Sequence, residues 1–243
     1  MWLLWIIAVL LAFYVKGLCG FANTLILTSI VSFGEDNINI SPVELILAYP
    51  ANLVLAFRNR KGLKPGVVIP LSVMVLAGST VGAFLLKNIN VDAVKILFGV
   101  VIILLGVEML LRERAAKKAQ SSKALLLVIG IVSGVLCGLF GVGALLAAYV
   151  DRVTDNHNDF KANLNAVFLV EATFRIVLYS ILGIITWSTL KMSLILMPVM
   201  LVGLFAGIKS ADVMDEKLIK KIVIVLLIIT GISMVIMTVV GMA

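Results

Sequence analysis

Six stretches of this chain are apolar and reach or approach the length that crosses a bilayer: roughly 42–57, 67–86, 91–111, 162–187, 189–208 and 218–240. About 20 residues of helix span the hydrocarbon, so these predict six membrane helices, the first of them short. No water reaches the hydrocarbon, so each segment must satisfy its own backbone N–H and C=O groups. For runs of this length that means helix. Composition agrees, because 62% of the 243 residues are hydrophobic and the mean hydropathy is +1.19. Soluble domains lie far below this. The polar stretches between the runs are short and leave no room for a soluble domain, so function is expected within the bilayer.

Two further apolar segments are interrupted by a similar glycine-rich phrase. Gly17-Leu18-Cys19-Gly20-Phe21-Ala22-Asn23 breaks the run 1–33, and Gly138-Leu139-Phe140-Gly141-Val142-Gly143-Ala144 breaks the run 125–150. The rest of the chain follows the same register. Gly17 matches Gly138, Gly20 matches Gly141, Ala51-Asn52 matches Ala172-Thr173, Gly78 and Gly82 match Gly203 and Gly207, and Gly106 matches Gly231. Each half therefore reads as one broken segment plus three spans: 1–112, then a basic linker 113–123 on the cytoplasmic side, then 124–243. A membrane chain that repeats a broken helix in each half has the layout of a transporter with its substrate site at the breaks.

Charge orients the halves. If each broken segment crosses the membrane, the loop lysines and arginines divide almost evenly between the two faces. If each is a re-entrant hairpin, the basic loops 58–64, 112–123, 152–161 and 209–221 all fall on one face. Only Lys87, Lys95 and Lys191 are then left on the other. Positive residues concentrate on the cytoplasmic side, which favours hairpins. Each half then has three crossings, and the halves are inverted relative to each other. The alternative is a kinked full crossing at each break, its glycines serving close packing. The amino-terminal Met1-Trp2-Leu3-Leu4-Trp5 has no basic flank and no small-residue cleavage site, so it is expected to be retained. The net charge of +7 reflects interhelical loops and implies no nucleic-acid partner.

At these residues the chain resembles the TauE/SafE family of sulfite and organosulfonate exporters. The resemblance lies in the glycine phrase early in each half, the basic loop Arg58-Asn59-Arg60-Lys61-Gly62-Leu63-Lys64, and the small-xxx-small helices at Gly78–Gly82 and Gly203–Gly207. The family's triple glycine and following proline are replaced here by Phe21-Ala22-Asn23-Thr24 and Val142-Gly143-Ala144. The resemblance implies a multi-pass transporter of small sulfur-containing or carboxylate anions, in the inner membrane of a bacterial or archaeal cell.

Charged groups in hydrocarbon cost roughly 2.5 kcal/mol or more each, so each asks for a reason. Lys16 sits at the first break, where exposed N–H groups and helix dipoles already suit an anion; the bland alternative is a lysine that snorkels to the surface. Glu171 and Arg175 are one turn apart in the span 162–187, with Tyr179 one turn beyond. Arg175 is expected to bind the anion. Glu171 is its resting partner and a candidate for a coupling proton; the bland alternative is a self-neutralising pair that only fixes packing. Asn23 and Asn52 are neutral donors near the breaks, and Asn163 and Asn165 read as interfacial. Together with Gly20, Gly138, Gly141 and Gly143, the residues Lys16, Asn23, Asn52 and Arg175 make up the expected substrate site.

The remaining polar features read as structural. Ser41-Pro42-Val43-Glu44 has the form of a helix start, with Pro at the first helical position and Glu at the third. His157, the single histidine, stands in a polar loop 151–161 without a ligand cluster, so no metal site or other cofactor is expected. No catalytic motif is present, which points away from an enzyme. The competing function is a transmembrane thiol-disulfide relay, since Cys19 and Cys137 both occur as Leu-Cys-Gly at the breaks. The bland reading of each is a small packing residue. Exposed small-xxx-small faces would permit a homodimer.

Overall fold

The computed structural model describes residues 2–31, 37–86, 143–154 and 156–242 without a gap, and scattered residues between 96 and 137. Among these the chain is helical, with no strand. The elements are α1 (Trp2–Cys19), α2 (Asn23–Val31), α3 (Asn37–Arg58), a single 3-10 turn (Arg60–Gly62), α4 (Pro65–Leu86), α5 (Ala144–Val153), α6 (His157–Ile181), α7 (Trp187–Ala211) and α8 (Glu216–Met242). Five helical stretches among the described residues are long and apolar enough to cross a membrane: Trp2–Cys19, Asn39–Arg58, Pro65–Gly82, His157–Ile181 and Trp187–Ala211. Their outer faces carry bare aliphatic side chains, such as Ile69 at 64%, Val202 at 63% and Ile181 at 77% exposed. Apolar exposure on this scale suits contact with lipid. The chain is an all-α multi-pass membrane protein. The linker 113–123, Gly106, Gly138 and Gly141 lie outside the described residues.

Side-chain pairings fix the directions of the helices. Ser41, Glu44 and Tyr49 of α3 meet Tyr179, Arg175 and Thr173 of α6, so these two helices run in opposite senses. The carboxyl-terminal residue of α3, Arg58, is paired with Asp212 just past the end of α7. Gly203 of α7 packs on Leu10, and Gly207 on Tyr14 and Leu18, so α1 and α7 ascend together. Hence α1, α3 and α7 share one direction. Between α1 and α3, the nine-residue α2 is packed on α1.

Glycines set the closest approaches. A Cβ at Gly203 would meet the carbonyl oxygen of Leu10 and the amide of Tyr14; a Cβ at Gly78 would meet the carbonyl oxygen of Ile131 and the amide of Val135. Leu10 and Tyr14 precede Ile131 and Val135 by 121 residues, and Gly78 precedes Gly203 by 125, which is the register read from the glycines. Leu10 and Tyr14 thus pack on α7, and Ile131 and Val135 on α4, through the same backbone atoms at matching register positions. These glycine faces are covered by helices of the same chain, so they are not surfaces a second copy would meet.

Three boundaries differ from the sequence reading. First, α3 begins at Asn37, so Ser41-Pro42-Val43-Glu44 is helix interior rather than a helix start. Pro42 removes one ladder bond, and both polar side chains find tertiary partners instead of capping the helix. Second, the polar loop 151–161 is shorter than it looks. Asp151 belongs to α5, and α6 starts at His157, capped by the Asn156 side chain on the Asp159 amide. Third, the apolar run 162–187 is cut at Gly183, which turns the chain with φ +68°, before Thr186 caps α7.

Candidate functional site

The break after α1 is built by two left-handed residues. Gly20 has φ +90° and Ala22 has φ +71°. Glycine takes this conformation freely, whereas an L-residue pays roughly 1–2 kcal/mol. Strain of this kind persists only where surrounding contacts hold it, and such residues cluster at functional sites. The last bond of α1 is the Gly20 amide on the Lys16 carbonyl, and α2 opens with the Ile26 amide on the Ala22 carbonyl.

One face of α6 closes over this break. His157 Nε2 is 3.3 Å from the Leu18 carbonyl, Lys161 Nζ donates to the Gly17 carbonyl at 3.1 Å, and Asn165 Nδ2 donates to the Gly20 carbonyl at 3.0 Å. The spacing of one helical turn between these three residues aims them at carbonyls of the last turn of α1 and of Gly20 just past its end. A cation there also complements the negative end of the helix dipole. The structure therefore corrects the interfacial reading of Asn163 and Asn165. Both are completely buried. Asn163 ties α6 to the turn after α3, donating to the Gly62 carbonyl at 2.8 Å and accepting from the Lys64 amide at 2.7 Å.

Farther along α6 lies a cluster of buried charge. Lys16 does not snorkel; it is 1% exposed, and its amine donates to Asn23 Oδ1 at 2.9 Å. Asn23 Nδ2 donates to Glu44 Oε1 at 2.5 Å, and Thr24 Oγ1 donates to the same oxygen at 2.8 Å. Glu44 Oε2 accepts no hydrogen bond among the described residues and stands 3.8 Å from an Arg175 terminal nitrogen. Arg175 Nε is 3.2 Å from Glu171 Oε1, and its other terminal nitrogen donates to the Cys137 carbonyl at 2.5 Å. Ser79 Oγ donates to Glu171 Oε1 at 3.0 Å. Behind them, the Tyr179 ring lies under the Arg175 guanidinium, and its hydroxyl is bonded to Ser41. Taking ions out of water costs several kcal/mol each. Arg175 in contact with both carboxylates, and Lys16 linked to Glu44 through Asn23, offset that cost for one another.

These groups surround a small cavity of about 30 Å³, beside the middle of α6. Of the residues expected at the site, Lys16, Asn23, Asn52, Gly143, Glu171 and Arg175 line it. Gly20 does not; it shapes the break beneath. Asn52 presents a buried Oδ1 with no partner among the described residues. Phe168 joins the two breaks, because Lys16 Nζ lies 5.7 Å from the ring centroid while Gly143 leaves just enough room for the ring edge. Cys137 also lines the cavity, whereas the Cys19 thiol is turned to the Val15 and Phe21 carbonyls. Neither cysteine is disulfide-bonded among the described residues. Among the described residues no three His, Cys, Asp or Glu side chains stand together as a metal site.

Sequence reasoning missed Glu44, Thr24, Ser79 and Lys161. The signal for Glu44 was present, since an acidic residue followed by a long apolar run is costly in a membrane. Its fit to a helix-start pattern hid it.

Helices long and apolar enough to cross a membrane, one of them broken beside a buried charged cavity, make this a polytopic membrane protein. The chain belongs to the sulfite exporter TauE/SafE family, whose model matches residues 5–234. That is a family of membrane transporters, not of enzymes. No curated protein and no solved structure matches the chain.

Proposed function

We propose that the protein is a secondary transporter of a small, sulfur-containing anion of the sulfite or sulfonate class, resident in a bacterial or archaeal inner membrane. The observation that carries this reading is Arg175: a buried cation at the wall of a cavity, held by two carboxylates that an anion would replace. Lys16 supplies a second cation across the cavity, and Asn23 and Asn52 supply amides that bind an oxyanion without a charge of their own. Glu171 is the resting partner that keeps the guanidinium oriented, with Ser79 fixing the carboxylate.

Alternating access would rock one half against the other about the glycine contacts. Two observations support an inverted repeat. The equivalent helices α3 and α6 run in opposite senses, and the Gly78 and Gly203 contacts repeat with the halves exchanged. The shared direction of α1 and α3 supports a chain that turns back through α2, as a re-entrant hairpin does.

The test is stabilisation of the purified protein by sulfite, sulfate, thiosulfate, methanesulfonate, acetate and chloride. A ligand that binds only the folded state raises the melting temperature with occupancy. The expected result is a selective shift with one or more sulfur oxyanions, lost in Arg175→Met. No shift with any anion would remove the anion site.

A further inference from the structure

We infer that Glu44 is the proton site that couples the anion to a proton, so that one proton and one anion occupy the cavity together. The inference rests on the anion reading above and deepens it. Lys16, Arg175, Glu44 and Glu171, when all are ionised, carry no net charge between them. Adding an anion to that set leaves uncompensated negative charge in a low-dielectric cavity, which is strongly unfavourable. A proton on one of the two carboxylates restores the balance.

The two carboxylates are not equivalent. Glu171 Oε1 is in close contact with Arg175 Nε and receives the Ser79 hydroxyl. Glu44 has one oxygen occupied by Asn23 and Thr24. Its other oxygen has no hydrogen bond among the described residues, belongs to a residue of the cavity wall and is only loosely paired with Arg175 at 3.8 Å. A proton arriving from water adds to Glu44 Oε2. The carboxylate becomes a carboxylic acid, its hold on Arg175 is lost, and the new O–H donates to an oxygen of the incoming anion. Nothing is oxidised, and no other bond is made or broken.

The groups facing Glu44 are compatible with this. From α6 they are Arg175, Glu171 and Tyr179. From α1 comes Lys16, through Asn23; beside them stands the Cys137 thiol. The first turn of α2 offers only the neutral Asn23 and Thr24. The lysines of α7, Lys191 and Lys209, are exposed near its ends, and Lys161 is turned away to Gly17. Because Glu44 Oε1 is held by Asn23 and Thr24, loading the acid is also felt at the broken helix.

The experiment is calorimetric titration of the purified full-length protein with methanesulfonate, sulfate and thiosulfate, which take up no proton near neutral pH. Sulfite is a fourth probe, its own proton counted separately. Two buffers of different ionisation enthalpy report the protons taken up per anion bound. The expected result is one proton per methanesulfonate, the singly charged probe, with affinity rising about tenfold per unit fall in pH across the titration; the doubly charged sulfate and thiosulfate should take up at least that one proton. Glu44→Gln should bind the anion with no proton uptake and a flat pH profile; Glu44→Asp should keep the uptake and shift the carboxylic-acid C=O infrared band that binding produces, a band that Glu171→Asp leaves in place. Anion binding without proton uptake in the wild type overturns the inference but leaves the anion site standing. So does uptake that survives in Glu44→Gln. If Glu44→Gln does not fold, the infrared band decides: a band moved by Glu44→Asp supports Glu44, and one moved only by Glu171→Asp overturns it. Failure of all four anions to bind removes the anion reading and this one with it.

Discussion

Lys16 and Asn23 face each other across the break between α1 and α2, the amine donating to the amide oxygen at 2.9 Å. A charge on the last turn of one helix is thereby held to the first residue of the next. The pair fixes the angle at which the chain turns while leaving the cation at the cavity wall. Lys16→Met removes both functions. Leaving the Asn23 oxygen buried without a donor costs about 1–3 kcal/mol, and the anion loses its second cation. We expect the variant to insert, to melt lower, and to lose anion-dependent flux in proteoliposomes. Normal flux would take Lys16 out of the site.

Arg175 is the costlier residue to remove. Breaking a buried ion pair from one side costs about 3–5 kcal/mol, because the remaining charge is stranded; Arg175→Met strands two carboxylates. A double variant, Arg175→Met with Glu171→Gln, should recover part of the lost stability and none of the transport. Thermal melting and flux measured on both variants separate the packing role from the binding role. Recovery of transport in the double variant would mean that Arg175 only neutralises Glu171.

Much of this arrangement was legible before the structure. The first break, the pair Glu171–Arg175 and the glycine spacing followed from the cost of polar groups in lipid and from the repetition of small residues. The Leu10/Gly203 and Ile131/Gly78 contacts realise that register. What stayed hidden was long-range. Nothing local says that residues 157, 161 and 165 cap carbonyls of α1, because those partners lie about 140 residues away in the chain. Glu44 was hidden differently: its neighbours Ser41 and Pro42 imitate a helix start, and a tertiary partner, Arg175, overrode the local pattern.

The paired glycine contacts predict paired effects. Gly78→Val and Gly203→Val each push a branched side chain against backbone of the facing helix, which no rotamer can relieve. Overpacking typically costs about 1–3 kcal/mol, and the two losses should be similar because the contacted atoms are equivalent. Melting temperatures in the same detergent provide the comparison. A loss at one position and none at the other would break the equivalence of the two interfaces.

The cysteines give a separation of functional classes. Cys137 contributes its backbone carbonyl to Arg175, which alanine preserves, and the Cys19 thiol is satisfied by carbonyls of its own segment. Cys19→Ala with Cys137→Ala should therefore retain most anion transport. A thiol-disulfide relay would lose all activity in the same variant, so complete loss of function would revive that class.

Topology offers the last test. If each broken segment enters and leaves by one face, each half crosses three times. The basic loop 58–64 and the linker 113–123 then lie in the cytoplasm, and the residues after α8 lie outside. With eight plain crossings and the amino terminus inside, both ends lie in the cytoplasm. A reporter active only in the cytoplasm, fused after Ala243, should be silent. One fused at the linker should be active. The shared direction of α1 and α3 already argues for the turn back, since a helix that crossed fully before α3 would run against it. An active carboxyl-terminal reporter would overturn the hairpin at one or both breaks and with it the inversion of the two halves.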